Sequence, residues 1–449
     1  MTGAVAGGPS PAGGKRRMPG PSRPLVAAIA VACAGTLLAG VGYAVSARPA
    51  AAPNAAGGSA DRVSDRPGAP LDLAAVNAIL ERRARAVRAG DRAGFLAAVD
   101  SAFRPEQEAL FDNLRGLPLA TWRQRADPAR PDATETAGPG NWTVRVTLRY
   151  RLRGFDRGDV TATQYLTFAR RPGTGTGAAA GLTIIGDGTA QGRLDDPEIW
   201  DGGRLSVVRG GRSLVIGVNA PRTRLRQIAA RLDRAVPAVT AVVGPRWARR
   251  VVAIVPATPE RAAALAGDGG SLREIAALAT VTRAAPGARG NDRIVVSPAA
   301  YPRLNEVGRH VVLTHELTHV ATRGAGDGRT PAWLIEGLAD YVGYKGLDVP
   351  VTSAARELRR EVSRGRLPAA LPRAADFSGA AGRLAQVYEE AWLACRMVAE
   401  RYGEDRLVRL YRAAGARPDG LPDALRRVLG VDTAEFTTMW RGYLRRELG

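Results

Sequence analysis

The sequence predicts an α+β protein with an N-terminal transmembrane helix, an α+β domain, and a mostly helical domain containing a small sheet. Three observations support this. An uncharged stretch of 21 residues begins at Leu25. Between 71 and 200, the spacing of apolar residues changes from helical to alternating. Beyond 303, long apolar-patterned helices follow short apolar runs. Helices followed by a run of antiparallel strands are typical of the α+β class.

The N-terminal region has the charge pattern of a membrane anchor. Residues 1–24 carry basic side chains and no acid, and residues 25–45 are long enough to cross a hydrocarbon core as a helix. Because positive charge precedes this span, we expect a cytoplasmic tail at 1–24 and an extracytoplasmic location for everything after residue 45. Cleavage of a signal peptide near Ala47 is the alternative, which would give a secreted protein. Residues 46–70 are rich in Ala, Pro and Gly and are predicted to be a disordered linker.

Residues 71–200 are predicted to form the first folded domain. Leu73, Val76 and Leu80 have helical spacing, whereas 142–152, 160–170 and 182–185 alternate or run apolar as strands do. This order of elements resembles the NTF2-like cone, in which a curved sheet wraps around helices. The resemblance implies either a pocket for a ligand or peptide, or a spacer, dimerisation or substrate-presenting module.

Residues 203–449 are predicted to form the second domain. Two apolar runs, 205–208 and 214–218, flank Gly210-Gly211 as a hairpin would. A helix over 222–236 and a buried strand at Val251–Val255 come next. A short strand at 293–297 then leads into a helix over 303–322.

The predicted helix over 303–322 contains the sequence His315-Glu316-Leu317-Thr318-His319. Positions i and i+4 share one face of a helix, so the two His side chains can bind one Zn²⁺. Glu316 lies beside that position, where a carboxylate can take a proton from a water that the metal activates. The third histidine of the chain, His310, lies about 140° around the helix and is not expected to be a ligand.

Glu336 is the best candidate for a third ligand. It lies 17 residues after His319 in a largely apolar helix, and buried carboxylates need partners. Asp340 is one turn further on, where a carboxylate can accept the other N–H of a ligand His. A structural zinc site is normally closed by four protein ligands, and no fourth His or Cys lies nearby. The sequence therefore favours a catalytic site.

Composition excludes some classes of protein. The net charge of +21 is almost entirely Arg, scattered through every segment without an aromatic-interleaved basic stripe, so nucleic-acid binding is not predicted. The two cysteines, Cys33 and Cys395, lie in segments that are not expected to meet, so no disulfide framework is predicted. The sequence makes no prediction of the oligomeric state.

The site region resembles the gluzincin metallopeptidases, and more closely the peptidase MA-like domains. The resemblance covers about 203–449, with its motifs at 293–297, 313–320 and 331–341. It implies that His315, His319 and Glu336 bind Zn²⁺, that Glu316 is catalytic and that Asp340 orients a ligand. It also implies that strand 293–297 borders the cleft and can pair with an extended substrate.

The same resemblance implies a Tyr or His on a later helix that stabilises the oxyanion. Tyr388 is the candidate, and the alternative is a Tyr that packs in the core. The predicted function is therefore a membrane-anchored, extracytoplasmic zinc metallopeptidase acting on a peptide or protein. One alternative is a non-catalytic zinc-binding envelope protein that acts through its NTF2-like domain. Another is a zinc amidase acting on a cell-wall substrate.

Overall fold

The computed structural model describes residues 71–127, 134–171, 181–267, 274–323, 328–378 and 382–449. The predicted tail, transmembrane helix and linker (1–70) lie outside this part of the chain. Within the described ranges, no helix combines the length and apolar character needed to span a membrane. The described chain mixes helices with two sheets, which confirms the predicted α+β class.

The first unit consists of three helices followed by an antiparallel sheet. Its elements are α1 (Leu73–Ala89), α2 (Arg92–Leu96), α3 (Arg104–Gly116), β1 (Leu119–Ala126), β2 (Thr134–Thr136), β3 (Asn141–Leu152), β4 (Val160–Arg170) and β5 (Leu182–Gly186). The strand order is β1-β3-β4-β5, with β2 also paired to β3. Irregular register in the β1/β3 and β4/β5 pairs accompanies the curvature that lets the sheet enclose the helices.

Helix α1 shows why these segments fold locally. The Asp72 side chain accepts a hydrogen bond from the Ala74 N–H at 2.8 Å, which caps the start of the helix. Gly90 ends it with a φ of 70°, a conformation that favours glycine. Between these caps, the face containing Val76, Ile79 and Leu80 is buried against the sheet. Apolar periodicity and caps therefore agree on the same helix.

The second unit is a mixed sheet covered by helices. Its strands are β6 (Leu205–Arg209), β7 (Ser213–Val218), β8 (Val251–Val255), β9 (Ala277–Val281) and β10 (Asp292–Val296). Its helices are α4 (Arg222–Val243), α5 (Pro259–Ala266), α6 (Glu306–Thr322), α7 (Ala332–Tyr344), α8 (Val351–Ala354), α9 (Arg356–Val362), α10 (Leu384–Tyr402), α11 (Glu404–Ala414), α12 (Leu421–Leu429) and α13 (Thr433–Leu448). The strand order is β6-β7-β8-β10-β9, so β9 is the edge strand beyond β10.

The second sheet is buried on both faces, which explains why its strands read as continuous apolar runs. On β7 and β8, Leu214, Ile216 and Ile254 join the core of the first unit. The alternate residues, such as Val215 and Ala253, face the helices of the second unit. The first unit therefore packs directly on the sheet that supports the site.

Polar contacts also connect the first unit to the β9–β10 hairpin. The Arg293 guanidinium of β10 lies 2.7 Å from Asp156, and the two side chains are 2% and 0% exposed. The Asn291 side chain accepts from the Arg157 N–H at 2.9 Å and donates to the Gly158 carbonyl at 2.9 Å. These contacts fix the hairpin whose outer strand, β9, borders the candidate site.

Candidate active site

Helix α6 places the two histidines and Glu316 inside the protein. Its first turn is capped by Asn305, whose side chain accepts from the Gly308 N–H at 2.8 Å. The helix is buried from residue 311 to residue 320, because it passes between the sheet and the other helices. His315, Glu316 and His319 are all buried. Polar side chains at this depth require specific partners.

Helix α7 brings Glu336 to the same point. It packs between α6 and α10, and its contact with α10 is close at Gly337. A Cβ at this position would lie 2.2 Å from the Ala391 carbonyl oxygen and 2.8 Å from Cys395 Sγ. The glycine in the Trp-Leu-Ile-Glu-Gly segment therefore permits the helix–helix approach that positions Glu336.

Three candidate ligand atoms converge in a buried cluster. His315 Nε2 lies 2.9 Å from His319 Nε2 and 3.2 Å from Glu336 Oε2. His319 Nε2 lies 3.5 Å from the same carboxylate oxygen. In a tetrahedral zinc site, ligand atoms at 2.0–2.1 Å from the metal are roughly 3.3 Å apart. The separations in this cluster agree with that value, so the donor set fits a zinc ion.

The electrostatics of the cluster also fit a cation. Asp340 Oδ1 lies 2.7 Å from His315 Nδ1. With the proton on Nδ1, His315 donates a hydrogen bond to this carboxylate, and its Nε2 lone pair faces the other two groups. Burial opposes the ionisation of Glu336, but the two imidazoles outweigh it and lower its pKa to about 2. A carboxylate and two imidazole nitrogens facing each other are the groups that a divalent metal binds.

Glu316 is held beside this cluster by the edge strand. Its Oε2 accepts a hydrogen bond of 2.7 Å from the Ala279 N–H of β9. Burial raises its pKa, while the neighbouring His315 and His319 act in the opposite direction. A carboxylate with a raised pKa is a better proton acceptor, which suits a general base.

The strand that borders the site is β9, so the sequence-based assignment of this role to 293–297 is wrong. That segment contains most of β10, which pairs with β8 on one side and β9 on the other and has no open edge. The segment Ala-Leu-Ala-Thr-Val at 277–281 is apolar at most positions, and so short an apolar run does not distinguish a strand from a helix. Its role was not predictable, because only the sheet order shows which strand lies outside.

Tyr388 lies beside the cluster, whereas His310 lies outside it. Tyr388, on α10, is buried, with its ring centroid 6.3 Å from that of His315 and 5.2 Å from that of Phe377. His310 is half-buried on α6 and does not belong to the three-residue cluster. Burial lowers the pKa of His310, and the charges of Arg234 and Arg231 lower it further.

Two buried acids follow Tyr388 on α10. Glu389 accepts the Leu358 N–H at 2.6 Å and the Glu357 N–H at 3.3 Å, at the start of α9. Glu390 forms an ion pair of 3.0 Å with Arg383. Both side chains point to structural partners, so they support the helix that carries Tyr388.

Comparisons with known proteins show similarity to solved structures. No family model matches the chain, and no curated protein matches it. Among solved structures, the chain is similar to the crystal structure of a mutant M1 zinc metallopeptidase from Deinococcus radiodurans. The TM-score is 0.34 and the identity is 16%, over 64% of this chain and 58% of that one. The match thus spans less than two thirds of that protein, and a likeness this low does not by itself indicate function.

Proposed function

We propose that this protein is a zinc-dependent metallopeptidase of the gluzincin type. The observation that carries the proposal is the cluster of His315, His319 and Glu336, with the Glu316 carboxylate held next to it by a backbone N–H. The cluster is a three-ligand set, which leaves a position for substrate or water. The intact glutamate between the two histidines favours an enzyme over a protein that only binds zinc.

The chain's own residues supply the proton transfers of the proposed reaction. Zinc, when bound, would polarise the scissile carbonyl and make a water more acidic. Glu316 takes a proton from the attacking water while the water oxygen bonds to the carbonyl carbon. Glu316 then delivers that proton to the amide nitrogen, and the C–N bond breaks to give a carboxylate and an amine. Asp340 keeps His315 in one tautomer throughout.

The position of β9 as the outer strand of the second sheet, in the described part of the chain, supports a peptide as the substrate. Ser297 N donates to Ala276 O, and Thr282 N donates to Asn291 O, which sets the pairing of β9 with β10. Residues alternate in such a pair, so the backbone groups of Ala277, Ala279 and Val281 point away from β10. The Ala279 N–H, which reaches Glu316, has this outward direction. An extended peptide added to this edge would pass beside Glu316.

Tyr388 is the proposed donor to the oxyanion that forms during the attack. This role is supported by the position of the Tyr388 ring on α10, with its centroid 6.3 Å from that of the His315 ring. The alternative is that Tyr388 only fills the core against Phe377. A hydroxyl that serves the oxyanion affects the chemical step and not the binding of metal.

We further propose that residues 25–45 anchor the protein in the cell membrane, with the N-terminus cytoplasmic and the catalytic unit outside. The uncharged span and the basic residues before it support this. Secretion after cleavage near Ala47 is the alternative. Protease treatment of intact cells tests both, because only an anchored, external protein is both cell-associated and degraded.

We also propose that the first unit is NTF2-like, supported by its three helices followed by a curved sheet.

The test uses the purified full-length chain and measures zinc content and hydrolysis of an unfolded protein or peptide pool. We expect stoichiometric zinc, hydrolysis by the wild type, and loss of hydrolysis with retained zinc in Glu316→Gln. The exposed Glu81→Gln is the matched control. For metal binding, His315→Ala should lose zinc and His310→Ala should keep it. A chain without zinc, or an active Glu316→Gln, would refute the proposal.

Other results of the same test identify the alternatives. Stoichiometric zinc without hydrolysis of any peptide favours the non-catalytic envelope protein. Hydrolysis restricted to cell-wall amides, and lost in Glu316→Gln, identifies the zinc amidase instead.

A further inference from the structure

The first unit contains a cavity of about 1100 Å³. It lies between α1 and α3 on one side and β1 and β4 on the other, well separated in sequence from the zinc cluster. Cavities of several hundred Å³ or more accommodate small molecules and short peptide segments. The side chains that line it include apolar Phe103, Leu166 and Trp200, so it has surface for an apolar ligand body.

A buried cation lines this cavity. Arg83, on α1, is only 2% exposed. Its guanidinium donates to the Phe95 carbonyl at 3.2 Å and to the Gln107 side-chain oxygen, and it stacks 3.8 Å from the centre of the Phe95 ring. All these partners are uncharged. In the described part of the chain, Arg83 forms no ion pair, and its Nε has no hydrogen-bond partner.

An isolated buried guanidinium is unfavourable, because it has lost its hydration without gaining an anion. The same burial lowers the pKa of Arg83 to about 9, so the group is still a cation at neutral pH. Buried amides also line the cavity. Among them, Gln124 donates to Gln164 at 2.8 Å, and the Gln124 side-chain oxygen has no partner among the described residues. The protein thus provides polar groups here that the described part of the chain does not satisfy.

Near solvent, carboxylates outnumber cations in the lining of the cavity. Glu106, Asp112, Asp187 and Asp195 contribute exposed carboxylates, and Arg115 and Arg204 contribute exposed guanidinium groups. A ligand with an anionic inner end and a cationic outer end would match both regions.

We propose that this cavity binds a ligand whose carboxylate pairs with Arg83 and whose ammonium group lies among these acids. A guanidinium and a carboxylate form a charge-assisted pair with two parallel hydrogen bonds, which no neutral group matches. Such a ligand is either a small zwitterion or the C-terminal end of a peptide. The site is independent of the zinc cluster, so this proposal and the proposed peptidase activity stand or fall separately.

The test is calorimetric binding to the purified full-length chain. The probes are ε-aminocaproate and a short alanine-rich peptide ending in lysine, each as the free acid and as the amide. We expect at least one free acid to bind, and its amide to bind at least roughly tenfold more weakly. Tighter binding of the peptide acid identifies a peptide terminus as the source, and tighter binding of ε-aminocaproate identifies a small zwitterion.

The variant Arg83→Met removes the charge at similar volume, and Arg85→Met, exposed on the same helix, is the matched control. We expect Arg83→Met to weaken binding of the free acid at least roughly tenfold and Arg85→Met to leave it unchanged. Equal binding of acid and amide by the wild type, which does not depend on any variant folding, would overturn the proposal. Absence of binding by both free acids, or equal binding by folded Arg83→Met and wild type, would do so as well.

Discussion

The buried ion pair between Arg293 and Asp156 makes a sharp prediction about stability. The two charged groups are 2.7 Å apart, although their alignment is too poor for a hydrogen bond. Substitution Arg293→Met removes the cation at similar volume and leaves Asp156 fully buried without a counter-ion. Among the described residues, the Asp156 carboxylate then retains its hydrogen bond from the Leu152 N–H, at 2.8 Å. Breaking one side of a buried pair costs about 3–5 kcal/mol.

The chain provides a control with the same chemistry and a different environment. Arg92 and Asp112 are also 2.7 Å apart, but their side chains are 45% and 57% exposed. Water screens this pair, so Arg92→Met should lower the free energy of unfolding much less than Arg293→Met does. The free energy of unfolding, measured by urea denaturation for both variants, checks the difference.

A double variant distinguishes the effect of the ion pair on stability from the effect of lost packing. In Asp156→Leu/Arg293→Met neither charge is left unpaired, so we expect it to be more stable than Arg293→Met. The coupling energy from the four proteins should exceed about 1 kcal/mol. The reasoning would be refuted if Arg293→Met and Arg92→Met lost equal free energy of unfolding. Strictly additive effects of Asp156→Leu and Arg293→Met on that free energy would also refute it.

Four further variants test the other structural arguments. Gly337→Ala should destabilise the fold by about 1–3 kcal/mol and lower zinc content, because the alanine Cβ would meet a backbone carbonyl of α10. Gly442→Ala, in open space on α13, should do neither. Equal melting temperatures of the two variants would contradict this. Asp340→Asn should weaken zinc affinity about 10–100-fold in a chelator competition. Unchanged affinity would show that Asp340 does not support the metal ligand His315. Tyr388→Phe should lower kcat about 100-fold or more with zinc retained, and an unaltered kcat would assign Tyr388 to the core. Burial raises the pKa of Glu198 from 4.5 to about 8 in the folded protein. Its contribution to stability is therefore full below about pH 4.5 and is lost as pH rises toward 8. Glu198→Gln should reduce that decline in urea titrations by about 5 kcal/mol, and parallel pH profiles would contradict it.

Local patterns were enough to predict much of the fold. The alternation in 142–152 and 160–170 predicted β3 and β4, since a half-buried strand repeats every two residues. The hairpin at Gly210-Gly211 is present as β6 and β7. Strands β1 and β9 were missed. Strand β9 is short and apolar at most positions, and such a run has no period that separates strand from helix.

The sequence by itself determined that His315 and His319 share a face and that Glu316 lies beside them. Helical periodicity decides this, and it depends only on local backbone geometry. It also provided Glu336 and Asp340 as candidates, because carboxylates in an apolar helix require partners. The sequence could not set the distance between α6 and α7, which depends on how the helices pack.

Only the tertiary structure decided which groups surround these residues. The approach of α7 to α10 at Gly337 places Glu336 within 3.2 Å of His315, and the order of the second sheet makes Ala279 the residue that holds Glu316. The unpaired charge of Arg83 was likewise invisible in a chain with Arg in every segment. Burial and partners are properties of distant segments meeting in space, and no local pattern along the chain encodes them.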